Sequence, residues 1–332
     1  MMMIDLPRYS GIYDLNFPLS FFEDEVRDGF FVCGMMKRFW AAQLKVLSEV
    51  AAVCRTLDIP WFMDFGTLLG AVRHNGYIPW DDDLDICMFR HDLEHFIAHA
   101  KRLLPPGYLV NNIMEDVSYE NNILRVQNTD SIDMNDKHLQ TYFGCPYVVG
   151  VDIFALDGLY EDSVEEEHRR KRLKDAFYAA SLVSQGLQST DICNSLLDTI
   201  ERENDTSLPR DKTLYANLLR QQVCISREVP SDRAKRVAKF FNADHIWTFP
   251  AAYFHEAKFL PFESMLLSAP VAHHEVLTAY FGNYHMISRS GADHDYPVWS
   301  RQEDKLRAHT GFNPYRYALK KQDMFRHSAA ST

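Results

Sequence analysis

Four aspartates stand within five residues, Asp81, Asp82, Asp83 and Asp85, directly after Pro79-Trp80. Asp83 to Met88 alternates polar and apolar residues as a strand does. Asp83 and Asp85 would then share one face while Leu84 and Ile86 turn to the core. At about 6.5 Å and an effective dielectric near 20, two such charges repel by roughly 2–3 kcal/mol. A hard divalent cation with oxygen ligands offsets this, and Mg²⁺ is the usual ion where phosphates share the site. A third carboxylate is Asp152, in Val151-Asp152-Ile153-Phe154, flanked by residues that favour burial. If the two strands are neighbours, Asp152 completes a three-carboxylate face. Such a face can hold two ions about 3.5–4 Å apart, the arrangement used for in-line displacement at phosphorus. The aspartate run also reads as a solvated turn, and Asp152 alone as a salt-bridge partner. A calcium loop fits worse: Ile86 takes the glycine position, and Asp92 rather than Glu stands twelfth.

Gly66-Thr67 precedes this cluster at a turn that opens a short helix. Backbone N–H groups and the helix dipole there suit an anion. Neither a P-loop nor a dinucleotide fingerprint is present. Ahead of paired carboxylates, the turn supplies the phosphate-binding half of a nucleotide site. Arg73 and His74 follow on the same segment and can pair with phosphate oxygens, or form an exposed cationic turn. Asp81 and Asp82 are candidates for support around the ion-binding pair. Glu263 is a candidate on the acceptor side. His91-Asp92-Leu93-Glu94-His95, with His99 beyond, has the spacing of a helical zinc hydrolase site, but Asp replaces the Glu that should follow the first His. A solvated helix face is the simpler reading. Trp247, Tyr253, Phe254, Tyr284 and Trp299 could stack on a glycan. Core packing explains them more simply, and no site is assigned to them.

The elements that must position these residues follow from periodicity. Asp24 to Asp58 reads as a long amphipathic helix ending ahead of Pro60. Trp61 to Asp64 reads as a strand, Thr67 to Val72 as a short helix, and Asn75-Gly76 as a turn. Asp92 to Leu104 is helical and stopped by Pro105-Pro106-Gly107. Tyr108–Val110, Ile123–Gln127 and Tyr147–Phe154 are further strands. Asp162 to Val183 is helical, with Glu165, Glu166 and Glu167 four residues ahead of Arg169, Arg170 and Lys171. Such pairs stabilise a solvated helix, so the run Arg169 to Arg172 is read as helix surface. Three regions are expected: an arm and helix over 1–58, a mixed α/β catalytic core over 59–160, and a mainly helical acceptor-side region over 161–325. A disordered tail over 326–332 completes the chain.

The 332 residues are 46% hydrophobic and 24% charged, which excludes wholesale disorder. The net charge of −11 argues against a general nucleic-acid binder. It also makes an anionic substrate awkward unless cations intervene. Six cysteines with no C-x-x-C pair read as buried reduced thiols of a cytosolic protein. No secretory signal and no 18-residue apolar run is visible.

The stretch from Gly66 through Arg73-His74-Asn75-Gly76-Tyr77-Ile78-Pro79-Trp80 to Ile86 closely resembles the signature of the LicD family, which includes bacterial phosphocholine transferases and the fukutin proteins. Asp152 to Gly158 resembles its second motif. Phe262-Glu263 with Pro270, then Tyr280 to Tyr284, is a weaker third match. Lys37 and Trp40-Ala41-Ala42 on the N-terminal helix are also family-like. Together the resemblance spans roughly residues 25 to 295. It implies an α/β nucleotidyltransferase core of the polymerase-β type. It also implies transfer of a phospho-alcohol from a CDP-activated donor to a glycan or polyol hydroxyl, with CMP released. By resemblance, Gly66 and Thr67 match the phosphate-binding turn, Asp83 and Asp85 the metal-binding pair, and Asp152 the third carboxylate. One or two Mg²⁺ ions are implied, with Mn²⁺ as a substitute. The expected location is cytoplasmic, with a lipid-linked acceptor met at the inner face of the membrane. Ser264 departs from the Gly that relatives carry after Phe-Glu, which bears on the local loop and acceptor preference. Two other functions remain open: a non-catalytic nucleotide- or sugar-binding module, and the zinc hydrolase on His91 and His95.

Overall fold

The computed structural model describes residues 15–240, 242, 245–287 and 302–311. The expected tail over 326–332 and Trp299 lie outside them. The chain begins with a short hairpin, β1 (Glu25–Arg27) and β2 (Phe30–Val32), and then enters α1 (Gly34–Leu57). The helix expected from Asp24 therefore starts ten residues later. Asp28 and Gly29 both take positive φ, the backbone of a tight hairpin turn, so the strand pair forms where helical spacing had been read. Asp58 caps α1 in the left-handed conformation, two residues before Pro60.

The next segment runs β3 (Phe62–Met63), α2 (Phe65–His74), β4 (Asp85–Phe89), α3 (Arg90–Leu103), β5 (Leu109–Asn111), β6 (Leu124–Gln127), α4 (Asp136–Thr141) and β7 (Gly150–Gly158). The order in the sheet is β3-β4-β7-β6-β5. The pair β4–β7 is parallel and the other neighbours are antiparallel. Helices α5 (Ser163–Ser184), α6 (Asp191–Asn204) and α7 (Leu214–Ser226) follow.

After the helices come β8 (Arg236–Phe240), β9 (Ile246–Pro250), the hairpin β10 (Ala257–Phe262) and β11 (Met265–Pro270), α8 (His273–Phe281) and α9 (Glu303–Thr310). β8 pairs with the end of β7, Asp157 opposite Ala238, so the central sheet crosses residue 160 and recruits a strand from the later part of the chain. These four strands lie within 161–325, the region expected to be mainly helical.

One large core joins α1, the sheet, α8 and the β10–β11 hairpin. Smaller clusters lie among α5, α6 and α7. The basic run on α5 corrects one expectation. Arg169 is fully buried and donates to the carbonyls of Gly158 and Ser226 and to Glu166. Only Arg170, Lys171 and Arg172 form ion pairs at the outer face.

Candidate active site

The turn at the start of α2 is built around the aspartates. The N–H of Asp64, at the end of β3, donates to the Asp85 carbonyl at 3.0 Å. Phe65 then takes φ +36°, a region that costs a bulky residue energy. Its ring is held by Tyr280 at 4.6 Å, Phe154 at 5.0 Å and Trp247 at 5.5 Å between centroids. A Cβ at Gly66 would overlap Oδ2 of Asp81, so the carboxylate's close approach requires glycine there. Thr67 is buried, and its Oγ1 accepts the Asp85 N–H at 2.8 Å. The hydroxyl thus fixes the backbone of one aspartate while Gly66 receives the side chain of another.

Asp85 opens β4 and lies in register with Asp152 on the parallel neighbour β7. Asp83 precedes the strand, and all five residues from Asp85 to Phe89 are buried, so the expected alternation of faces is not seen. The Asp81 and Asp83 carboxyl groups act on each other electrostatically. Burial first, then Asp83, pushes Asp81 well above the ordinary carboxylate value. Burial, then Asp83, Asp152 and Asp81, does the same to Asp85, with Arg125 opposing. Asp81, Asp83, Asp85 and Asp152 are therefore one electrostatic cluster. Asp82 is fully buried. Helix α1 fixes the backbone of the run: Trp40 Nε1 donates to the Asp81 carbonyl at 3.1 Å and Gln43 Nε2 to that of Asp82 at 3.0 Å.

Asp152 has a partner that sequence reasoning missed. Arg125 lies directly opposite on β6 and grips it with two hydrogen bonds, Nε to Oδ1 at 2.6 Å and a terminal nitrogen to Oδ2 at 2.5 Å. Beside this pair the Tyr119 hydroxyl is buried without a hydrogen bond, and burial pushes its phenol up. Among the described residues no three His, Cys, Asp or Glu side chains converge as a ready metal-ligating group. The chemistry of the donor set still fits a hard divalent cation. It offers carboxylate oxygens only, and burial and crowding raise the affinity of Asp81 and Asp85 for protons, which a cation would relieve. Asp83 and Asp85 would be the residues to hold one. Asp152 could join them once its fork with Arg125 opens.

A second buried cluster lies behind the turn. Lys239 of β8 is buried and ion-paired with buried Asp64, which also accepts from the Tyr280 hydroxyl at 3.0 Å. The ammonium lies 4.9 Å from the Phe65 ring centre and 5.4 Å from that of Tyr280. Burial pulls the Lys239 pKa well down. Asp64 was visible as a lone acid closing an apolar strand. Lys239 and Tyr280 gave no local signal, because their partners are far away in the chain.

Other sequence candidates sit around this centre. Arg73 donates to the carbonyls of Tyr284 at 3.2 Å and Met286 at 3.4 Å. His74 lies 3.3 Å from Asp28. Both tie the end of α2 to flanking segments. Glu263 takes φ +51° at the β10–β11 turn. Its side chain accepts from Arg27 at 2.8 Å and from the Tyr77 N–H at 3.1 Å. Glu263 thus clamps the hairpin to the Asn75-Gly76 turn, and the positive φ falls on it rather than on Ser264. On α3, His99 Nδ1 contacts the His95 carbonyl at 2.9 Å and His91 Nδ1 contacts Ser231 Oγ at 3.0 Å.

Residues 58–177 match the LicD/FKTN/FKRP nucleotidyltransferase domain. That span contains Gly66, Thr67, the aspartate run, Arg125 and Asp152. The chain is 22% identical over 253 residues to the lipopolysaccharide cholinephosphotransferase LicD of Haemophilus influenzae, covering 73% of this chain and 88% of that protein. An uncharacterized protein of Rickettsia typhi is 35% identical over 83 residues, 23% of this chain and 27% of its own. One of Rickettsia prowazekii is 45% identical over 58 residues, 16% of this chain and 20% of its own.

Proposed function

We propose that this chain, which carries a LicD-family domain, transfers a phospho-alcohol from a CDP-activated donor to a glycan or polyol hydroxyl and releases CMP. The observation that carries the reading is the in-register pairing of Asp85 with Asp152, beside Asp83 and at the start of α2. The acceptor hydroxyl attacks the distal phosphorus, the one bearing the alcohol. The bond from that phosphorus to the bridging oxygen breaks, and CMP departs.

A divalent cation on this face, Mg²⁺ in our reading, supplies neutralisation of the diphosphate and of the charge growing on CMP. Asp83, Asp85 and Asp152 are the residues proposed to hold it. The N–H groups at the N-terminus of α2 favour an anion, and Gly66 there makes room for the Asp81 carboxylate. Thr67 keeps the Asp85 backbone in place. Most of the acceleration then comes from positioning and charge balance. The name of the Haemophilus relative, a lipopolysaccharide cholinephosphotransferase, supports a transferase acting on a glycan; a surface glycopolymer such as lipopolysaccharide or teichoic acid is the acceptor we propose. A lipid-linked acceptor would bring the protein to a membrane surface. Among the described residues no helix is long and apolar enough to cross one.

A CMP-release screen over CDP-choline, CDP-ribitol and CDP-glycerol tests the reading, with mixed glycan acceptors and Mg²⁺. At least one donor should release CMP, and Asp83→Asn should abolish the release. Binding of CDP-alcohols without CMP release from any acceptor pool would instead favour a non-catalytic module. Stoichiometric zinc lost in His91→Ala would favour the hydrolase.

A further inference from the structure

We propose that Arg125 is a positioning residue that reserves Asp152. It keeps the third carboxylate from a divalent ion until the donor's diphosphate arrives to take the guanidinium. The proposal rests on the reading above, and three observations carry it. Arg125 and Asp152 are directly opposed on antiparallel β6 and β7, so the strand register itself sets the pair. Both carboxylate oxygens of Asp152 are engaged by the same planar fork. Finally, the Asp152 side chain is 13% exposed but that of Arg125 is 36% exposed, so Arg125 is the partner nearer solvent.

The exchange is chemically matched. A guanidinium grips a carboxylate and a phosphate through the same two-pronged geometry. An ion arriving alone would have to strip Asp152 from Arg125 and leave a partly buried guanidinium without its counter-charge, which is costly. A diphosphate removes that cost by replacing the carboxylate on the fork. Ion and donor then each tighten the other's binding by the same factor. Arg125 would thus discourage idle loading of the site. A permanent salt bridge would produce no such coupling.

The test is Mn²⁺ binding followed by electron paramagnetic resonance on the full chain, with and without CDP, and with Mn²⁺–CDP lacking protein as the blank. Arg125→Lys keeps the charge but loses the fork. It should bind Mn²⁺ without CDP about tenfold more tightly than wild type, and CDP should add less further tightening. The paired variant Arg125→Met/Asp152→Asn removes the bridge without changing net charge. It should match wild type without CDP and lose the tightening that CDP brings. Unchanged Mn²⁺ affinity in Arg125→Lys, or weaker binding without CDP in the paired variant, would overturn the proposal while leaving the carboxylate reading intact. Asp85→Asn separates the two ideas: if it binds Mn²⁺ as wild type does, the carboxylate reading itself fails.

Discussion

Single side chains at this centre act on backbone as much as on solvent. Thr67→Val removes the acceptor of the buried Asp85 N–H and should cost about 1–3 kcal/mol in urea denaturation, with Thr67→Ser close to wild type. Asp81 gives a pH test. Burial and Asp83 raise its pKa well above the ordinary value, so the folded chain keeps a proton that the unfolded chain releases at lower pH. The stability this group contributes is complete below the ordinary carboxylate range and is lost as pH climbs through the raised value. Asp81→Asn cannot ionise. Without divalent cations its melting temperature should therefore gain on wild type as pH rises from about 4. An offset that is constant across a pH series of thermal scans would contradict this. The aspartates were legible because four within five residues, directly after Pro-Trp, demand an explanation. Arg125 was not, because a charged residue in Leu124-Arg125-Val126 looks like any outward position until its cross-strand neighbour is known.

At the scale of elements, α2 and β4 form a unit in which a glycine and a threonine serve two different aspartates. Gly66→Ala would push the Asp81 carboxylate from the helix start. CMP release should fall by about 10²-fold with the fold retained, because small displacements at a reacting centre are costly. Steady-state rates with circular dichroism as the control check this. Strand and helix periodicity located β3, α2, β4, α3, β5 and β6 to within a few residues. It failed at Asp28-Gly29, where a hairpin turn interrupts apolar spacing that also suits a helix. It failed again at β8 to β11, where aromatic residues pack without a simple alternation. Arg169 was misread for a related reason: helical spacing tells which residues share a face, not whether that face meets water or another helix.

The whole molecule holds the site by contacts from far outside its motifs. Helix α1 grips the carbonyls of Asp81 and Asp82, and Lys239 and Tyr280 converge on Asp64. The hairpin bearing Glu263 clamps the turn ahead of the aspartates. Residues 58–177 expressed alone lack all of these. We expect that fragment to show no cooperative thermal unfolding, where the full chain does, by circular dichroism. The acidic balance of the chain, −11, sets the need for cations around a diphosphate, but it does not locate them.

In the proposed reaction these carboxylates run a displacement at the distal phosphorus of a CDP-alcohol. Product analysis by phosphorus NMR tests it most directly, comparing wild type and Asp85→Asn with donor, acceptor and Mg²⁺. Wild type should give CMP and the acceptor phosphodiester bearing the alcohol in equal amounts, with the rate falling at least about 10²-fold in Asp85→Asn. Free phospho-alcohol with the cytidylyl group on the acceptor, or an undiminished rate in Asp85→Asn, would contradict it.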